Sequence, residues 1–309
     1  MKVFLTGATG AIGPTTARTL RDAGHDVRAV ARTDAKADAL RHVGAQPVAV
    51  DLFDAPGVLD ATAGCDAIAH LATNVPEVIR AGRRGAWSMH NRLRTDATRI
   101  LVGAAREHGI GVFLKESITF VYPDRGDAWI DESVPPVAAG LLAPTLEGED
   151  LVEQYTAAGG RGVVLRFGLF YGPTSRGTDE NLRLARWRAS SVAGPAGAFM
   201  SSIHTDDVAT AVRAALDAPA GRYNVVDDEP LTRRAYLDAF AHAFGLPHLR
   251  RTPALLIRLG AGSAASAFVA SQRVTSARFK ETTGWSPSQR DARVGWQAVA
   301  DARRAETAR

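Results

Sequence analysis

Short apolar runs alternate along the chain with longer amphipathic stretches, and the two have different periods. Runs at 2–6, 26–31, 47–51, 66–71, 111–118 and 162–168 are rich in Val, Ile, Leu and Ala, as strands buried on both faces are. Between them, 12–23, 34–43, 55–63, 90–108 and 145–158 space their apolar residues by three and four, which predicts helices. Gly24 is placed to end the first helix in a left-handed cap. Repeated strand–helix–strand order predicts an α/β fold with a parallel, doubly wound sheet and right-handed crossovers. After about 169 the pattern loosens, with a Gly/Pro-punctuated loop at 171–178, apolar helices at 206–217 and 233–244, and a short strand at 222–226. There is no internal repeat, and only 260–271 is compositionally biased, towards Ala and Ser.

The alternation becomes informative at its first turn. Val3 to Leu5 breaks into Gly7, Gly10 and Gly13 and then continues as a helix through Leu20. A strand that turns through glycines into a helix start exposes bare N–H groups and the positive end of the helix dipole, a seat for a pyrophosphate. Gly7 suits the tight turn, Gly10 the approach of phosphates and Gly13 close helix–sheet packing, with Thr9, Ala11 and Ile12 completing the loop. A dinucleotide-binding Rossmann-type domain is therefore expected at 1–168, rejoined by 201–226. A smaller substrate lobe is expected from 169–200 and 227–290, and 291–309 reads as an exposed helix or tail with fraying basic ends.

Composition narrows the classes. The 309 residues are 46% hydrophobic and 23% charged, with a net charge of +4, an ordinary globular balance. The basic residues are scattered, only four are lysines (Lys2, Lys36, Lys115, Lys280), and Arg303-Arg304 forms no more than a small cluster near the end, so no nucleic-acid partner is expected. No apolar run reaches membrane-spanning length and the chain opens on a core strand, so no membrane partner, no signal peptide and a cytoplasmic location are expected. The single Cys65 excludes a disulfide framework and a cysteine metal cluster; it reads as a buried inert thiol, and no metal site is expected. A small-molecule substrate and a monomer or homodimer complete the expectation.

The end of the second strand selects the nucleotide. Val27-Arg28-Ala29-Val30-Ala31-Arg32-Thr33 carries no carboxylate for a ribose 2′-hydroxyl, whereas Arg32 suits a 2′-phosphate, with the Thr33 hydroxyl beside it. NADP(H) is preferred over NAD; Arg32 reads alternatively as a solvated arginine before the next helix. Asp51-Leu52 is placed to reach the adenine, with helix capping as its plainer role. Leu71, Ala72 and Thr73 close the fourth strand at the edge where ligands sit. His70 reads as a hydrogen-bonded core residue.

Taken together, these motifs resemble the extended short-chain dehydrogenase/reductase superfamily, the NAD-dependent epimerase/dehydratase group. The resemblance rests on Thr6-Gly7-Ala8-Thr9-Gly10-Ala11-Ile12-Gly13, Asp51-Leu52, His70-Leu71-Ala72 and Asn91 with Thr95. It continues through Arg166-Phe167-Gly168-Leu169-Phe170-Tyr171-Gly172-Pro173, Ser202-Ile203-His204-Thr205-Asp206-Asp207-Val208 and Phe279…Gly284-Trp285-Ser286-Pro287. It implies a Rossmann fold, a nicotinamide cofactor, and Phe167 and Gly168 among the cofactor's contacts.

The chemical part of the resemblance fails. The family uses a tyrosine acid, a lysine four residues on that lowers its pKa, and a serine or threonine holding the carbonyl oxygen. None of Tyr122, Tyr155, Tyr171, Tyr223 and Tyr236 has a lysine four residues later. Alignment puts Thr145 at the tyrosine position and Glu149 at the lysine position, where a carboxylate would repel a tyrosinate. In Glu116-Ser117-Ile118-Thr119-Phe120-Val121-Tyr122 the family's serine falls on Ile118. Strand alternation puts Ser117 and Thr119 on one face, which makes them the candidate catalytic pair; local backbone satisfaction is the alternative. Lys115, Glu116 and His204 are weaker candidates for a replacement proton donor.

The function expected is an NADPH-dependent ketoreductase acting on a small organic ketone, such as an aromatic polyketide or other secondary metabolite, with the proton taken from water or from the substrate's own hydroxyl. The chain is similar in this to the ketoreductases that tailor angucyclinones such as simocyclinone. The alternatives are a non-catalytic NADP(H)-binding sensor or subunit, and a sugar-nucleotide epimerase or dehydratase. Trp187, Phe199, Met200 and Phe268 are candidates to line a pocket for a flat molecule or, alternatively, ordinary core; Arg183, Arg186 and Arg188 read as a solvated face.

Overall fold

The computed structural model describes residues 1–76, 83, 85–137, 140–252 and 265–307. Part of 260–271 therefore lies outside the described residues. Seven parallel strands form the central sheet: β1 (Lys2–Thr6), β2 (Asp26–Val30), β3 (Gln46–Val48), β4 (Ala67–His70), β5 (Val112–Ile118), β6 (Arg161–Phe167) and β7 (Gly221–Val225). Their spatial order is β7-β6-β5-β4-β1-β2-β3. The order reverses between β1 and β4, which opens a crevice at their carboxyl ends.

The crossover helices are α1 (Gly13–Asp22), α2 (Asp34–His42), α3 (Ala55–Thr62), α4 (88–107) and α5 (Ala143–Ala157). Each lays an apolar stripe on the sheet. Val3, Leu5, Ala29, Leu114 and Leu165 pack on one face against α1 and against α6 (Thr205–Ala215) through Val208 and Val212. Phe4, Ile68, Phe113 and Val164 pack on the other against Val58, Leu101, Ala105, Val152 and Tyr155. Helix α1 ends as expected: Gly24 has φ +82° and its N–H donates to the Arg21 carbonyl at 2.9 Å. Helix α4 is α-helical over Ser88–Arg92 and Thr98–Glu107, with a π-helical turn at Leu93–Ala97 between them. Such turns recur at functional sites.

The C-terminal half is more ordered than its sequence pattern suggests. Leu169–Tyr171 pairs in parallel with Ser202–His204, and 171–178 leads into a helix at Arg176–Ala185. A third apolar cluster joins Tyr171, Met200, Leu237 and Phe240 to Trp296 and Val299. The final helix, Ala292–Thr307, is thus not an exposed tail. Ala292, Trp296, Val299 and Ala300 form a stripe buried against helix Arg233–Ala243, and this burial corrects the expectation of an exposed helix. His204 and its motif tie this half to the sheet. The ring Nδ1 accepts the Asp206 N–H at the start of α6, and Asp207 accepts the N–H groups of Ser288 and Gln289 at 2.7 and 3.0 Å. The Trp285 indole donates to Thr210 at 3.0 Å. His204 caps α6 through Nδ1. No helix among the described residues is long and apolar enough to cross a membrane.

Candidate active site

At the β1–α1 turn the chain's own backbone dictates two of the three glycines. A Cβ on Gly7 (φ +73°) would lie 2.5 Å from the Leu71 carbonyl, and one on Gly13 would lie 2.2 Å from the Ala8 carbonyl carbon. Gly10 differs: its nearest neighbour would be the Gly7 oxygen at 3.2 Å, and the residue is exposed. Helix α1 has no side-chain cap at Ile12 and no acidic residue in its first turn; Gly13 N–H turns back to the Gly10 carbonyl at 3.4 Å and Pro14 has no N–H, so the positive end of the helix dipole faces the turn without a side-chain partner. This cradle fits a pyrophosphate.

The flanking residues fall around it. Ala72 is half-buried and Thr9, Ala11 and Thr73 line the open edge, whereas Ile12, Leu52, Leu71 and Phe167 put their side chains into the core. Gly168 lies against Ser201, whose carbonyl oxygen a Cβ would approach to 2.8 Å. Asp51, beyond the end of β3, accepts the Phe53 N–H at 3.0 Å, and the residue at the cap of α3 is Asp54. Asp51 therefore does not cap that helix. Arg32 is exposed at the end of β2, while the Thr33 hydroxyl caps α2.

A directed hydrogen-bond chain fastens the cradle to α4. Ala72 N–H donates to the Thr6 hydroxyl at 3.3 Å, Thr6 donates to His70 Nδ1 at 2.7 Å, and His70 Nε2–H donates to the Leu93 carbonyl at 3.0 Å. A carbonyl only accepts, so the His70 proton sits on Nε2. Burial, with Lys115 second, pushes His70 down to about 3, and it stays neutral. His70 is a strut.

The reaction end, between β5, α4 and α5, is rebuilt around charge. Glu149 is 1% exposed and holds a bidentate pair with Arg166, at 2.9 Å from Nε and 2.6 Å from Nη2. Arg222 Nε lies 3.2 Å from the same carboxylate. Ser117 donates its hydroxyl to Glu149 at 2.5 Å, so this O–H is already committed. Arg166 also donates to the Tyr122 hydroxyl, which donates in turn to Asn224; hydrogen bonding and charge from Glu149 hold the Arg166 guanidinium charged against its burial. Strand β5 stops at Ile118 and Thr119 opens a 3₁₀ turn, so the alternation that paired Ser117 with Thr119 does not reach the second residue. Thr119 is buried.

One layer over, Arg94 is 1% exposed and pairs with Glu116 at 3.1 Å. Its Nε donates to His90 Nε2 at 2.9 Å. Lys115 is buried against Gly148 of α5, where a Cβ would lie 2.5 Å from its Cε. Burial and the Arg94 charge push Lys115 down to about 7, against the pull of Glu116 and Glu149. Thr145 Oγ1 and His90 Nδ1 are buried without a hydrogen-bond partner among the described residues.

The aromatic wall beside this end is not the one expected. Trp187 is 77% exposed, Met200 is in the lobe's core, and Phe199 packs against the Arg273 guanidinium. Phe268 meets Phe120 at 5.6 Å and Trp87 at 6.3 Å between ring centroids, and the Trp87 and His90 rings meet nearly perpendicular at 5.4 Å. A cavity of about 590 Å³ bordered by Pro195, Leu237, His248 and Arg251 lies in the lobe and takes no group from this strand edge.

A doubly wound sheet with an uncapped glycine cradle at its first helix and a polar cluster beyond the fifth strand defines a nicotinamide-dependent Rossmann enzyme. The model of the NAD dependent epimerase/dehydratase family matches residues 3–226, and the chain belongs to that family; it is an NAD(P)-dependent oxidoreductase. It is 31% identical over 309 aligned residues to a 3-diazoavenalumate denitrifying reductase of a Streptomyces species, covering 96% of this chain and 99% of the relative. A 2-alkyl-3-oxoalkanoate reductase of Stenotrophomonas maltophilia is 27% identical over 266 residues, covering 81% of this chain and 77% of the relative. The crystal structure of the human epimerase family protein SDR39U1 with NADPH superposes with a TM-score of 0.77 at 22% identity, covering 97% of this chain and 99% of that one.

Proposed function

We propose that this protein is an NADPH-dependent reductase of a small aromatic ketone that works without a tyrosine acid. The observation that carries this reading is Glu149, locked by Arg166 and Ser117 where the family's lysine would stand, with Thr145 at the tyrosine's position. A buried carboxylate held between two guanidinium groups is a structural charge, not a proton relay.

The positive end of α1 and the open backbone at Gly10 would seat the pyrophosphate, and Arg32 a 2′-phosphate, which favours NADPH over NADH. When bound, a dihydronicotinamide supplies a hydride, which makes an alkoxide of a ketone. The residues around the crevice position the electrophile and keep water out, a contribution that placement alone makes large. The alkoxide's proton comes from water or from a hydroxyl on the substrate itself, with Thr119 the hydroxyl of the candidate pair that Glu149 does not occupy. A phenol beside the carbonyl polarises it from within and suits such a site. An epimerase or dehydratase would begin by oxidising an alcohol, and Glu149 in its ion pair is no base for that step.

The identity to a denitrifying reductase over nearly the whole chain favours a second reading. An arenediazonium ion that gains a hydride becomes an aryldiazene, which sheds N2 to leave Ar–H, and no acid is needed. Incubating the protein and NADPH with 2-acetyl-1-naphthol and, separately, with an arenediazonium salt tests both readings. The ketone reading expects the secondary alcohol with matching loss of NADPH. Arene and N2 from the diazonium salt alone would replace it by the second, and no NADPH loss on either would remove both.

A further inference from the structure

We infer that His90, as a neutral Nδ1–H tautomer, and Thr145 are the hydrogen-bond donors that hold the oxygen of a planar aromatic ketone against Trp87, Phe120 and Phe268. The inference rests on the ketone reading above and names the groups that replace the tyrosine.

The tautomer follows from the partner. A guanidinium only donates, so the Arg94 Nε–H directed at His90 Nε2 requires a lone pair there, and the ring's proton lies on Nδ1. Burial, reinforced by the charges of Arg94 and Lys115, pushes His90 down to about 3 and keeps it neutral. That Nδ1–H is a buried donor with nothing to donate to among the described residues, in a side chain only 4% exposed. Thr145, 1% exposed, has an unpaired hydroxyl as well. Each such group costs stability in the free protein, so two together mark a place where a ligand completes the bonding.

They stand at one level of the fold. A Cβ on Gly148 would lie 2.3 Å from the Arg94 carbonyl oxygen, which fixes the contact between α4 and α5. His90 is one turn from Arg94 and Thr145 one turn from Gly148, both towards the helix starts and hence towards the carboxyl edge of the sheet, where the cofactor cradle opens. The Trp87 ring beside His90, with Phe268 and Phe120 behind it, offers flat apolar surface next to the two donors. A neutral imidazole N–H polarises an oxygen without giving up its proton, which agrees with a proton that comes from water or from the substrate.

Titration calorimetry of the NADP⁺-loaded protein with 2-acetyl-1-naphthol tests the pair without requiring turnover. Glutamine can accept the Arg94 bond at the Nε2 position but leaves Nδ1 vacant, whereas asparagine presents an N–H near Nδ1. His90→Gln is expected to weaken binding about tenfold, and His90→Asn by less than about threefold. Thr145→Val is expected to weaken binding while raising the melting temperature, because it removes an unpaired hydroxyl. Unchanged binding in both His90→Gln and Thr145→Val, the reverse order of Gln and Asn, or a wild-type protein that does not bind the naphthol would overturn the inference. NADPH oxidation by the wild type, followed in parallel, judges the reductase reading by itself: turnover that survives His90→Gln with unchanged binding keeps that reading and removes His90.

Discussion

The two ends of the crevice have kept different things. At the cradle, Gly7 and Gly13 are held in place by the protein's own backbone, since a side chain at either would collide with the Leu71 or Ala8 carbonyl. At the reaction end no backbone constraint protects a tyrosine and a lysine, and the space is filled by Glu149, Arg166, Ser117 and Arg222. A cofactor loop doubles as packing and resists change, whereas a proton relay is made of side chains alone and can be exchanged for an ion network that holds the same elements together.

Breaking the ion network should cost most. Glu149→Ala leaves Arg166 buried with its charge uncompensated and is expected to lower unfolding stability by about 3–5 kcal/mol, read by urea denaturation. Installing the family's pair, Thr145→Tyr with Glu149→Lys, is expected to destabilise comparably and not to raise reductase activity, because the new ammonium would face Arg166. Gly13→Ala should follow, at about 1–3 kcal/mol with loss of NADPH binding.

The pH dependence of stability comes next. A buried Lys115 titrating at about 7 in the folded chain, against 10.5 as its ordinary value, means that the unfolded chain binds more protons between those values. Stability from this group is therefore greatest above about 10.5 and declines as the pH falls towards 7. Lys115→Met should flatten the stability–pH curve in that window, where the slope from one group is at most about 1.4 kcal/mol per pH unit. Arg94, Glu116, Glu149, His70 and His90 surround the ammonium and stay unchanged in that variant.

The smallest structural effects sharpen the contrast from the cradle side. Gly10→Ala meets only one atom, at 3.2 Å, and should leave the melting temperature nearly unchanged while weakening NADPH binding. Arg32→Ala should cost about tenfold in NADPH affinity and little in NADH affinity, measured by fluorescence titration. Trp187→Ala, at an exposed position, is expected to stay within about 0.5 kcal/mol.

Much of the fold was legible because periodicity reports burial. The runs at 2–6, 26–31 and 111–118 became β1, β2 and β5 with ends shifted by no more than a residue. The last helix departs from the exposed reading because Ala292, Trp296, Val299 and Ala300, spaced by three and four, form a stripe buried against helix Arg233–Ala243. The missing tyrosine and lysine could be read directly, but their replacement could not: Glu149 and Arg166 meet through space, between a helix and a strand. One signal was present, because Arg166 interrupts the apolar run Val163-Val164-Leu165-Arg166-Phe167, and a charge inside such a strand needs a partner. His90 carried no periodic signal. Its role emerges only once Arg94 fixes its tautomer and Trp87 its neighbourhood.

The central claim, hydride delivery to an aromatic ketone without a tyrosine acid, is tested most directly with NADPH doubly deuterated at C4 of its nicotinamide. The protein is incubated with this cofactor and 2-acetyl-1-naphthol, and the product is examined by mass spectrometry and proton NMR. Transfer is predicted to place one deuterium on the carbinol carbon, with one NADPH consumed per alcohol formed and activity retained in Tyr122→Phe. Recovery of unchanged ketone, an alcohol without deuterium, or abolished transfer in a folded Tyr122→Phe variant would contradict it.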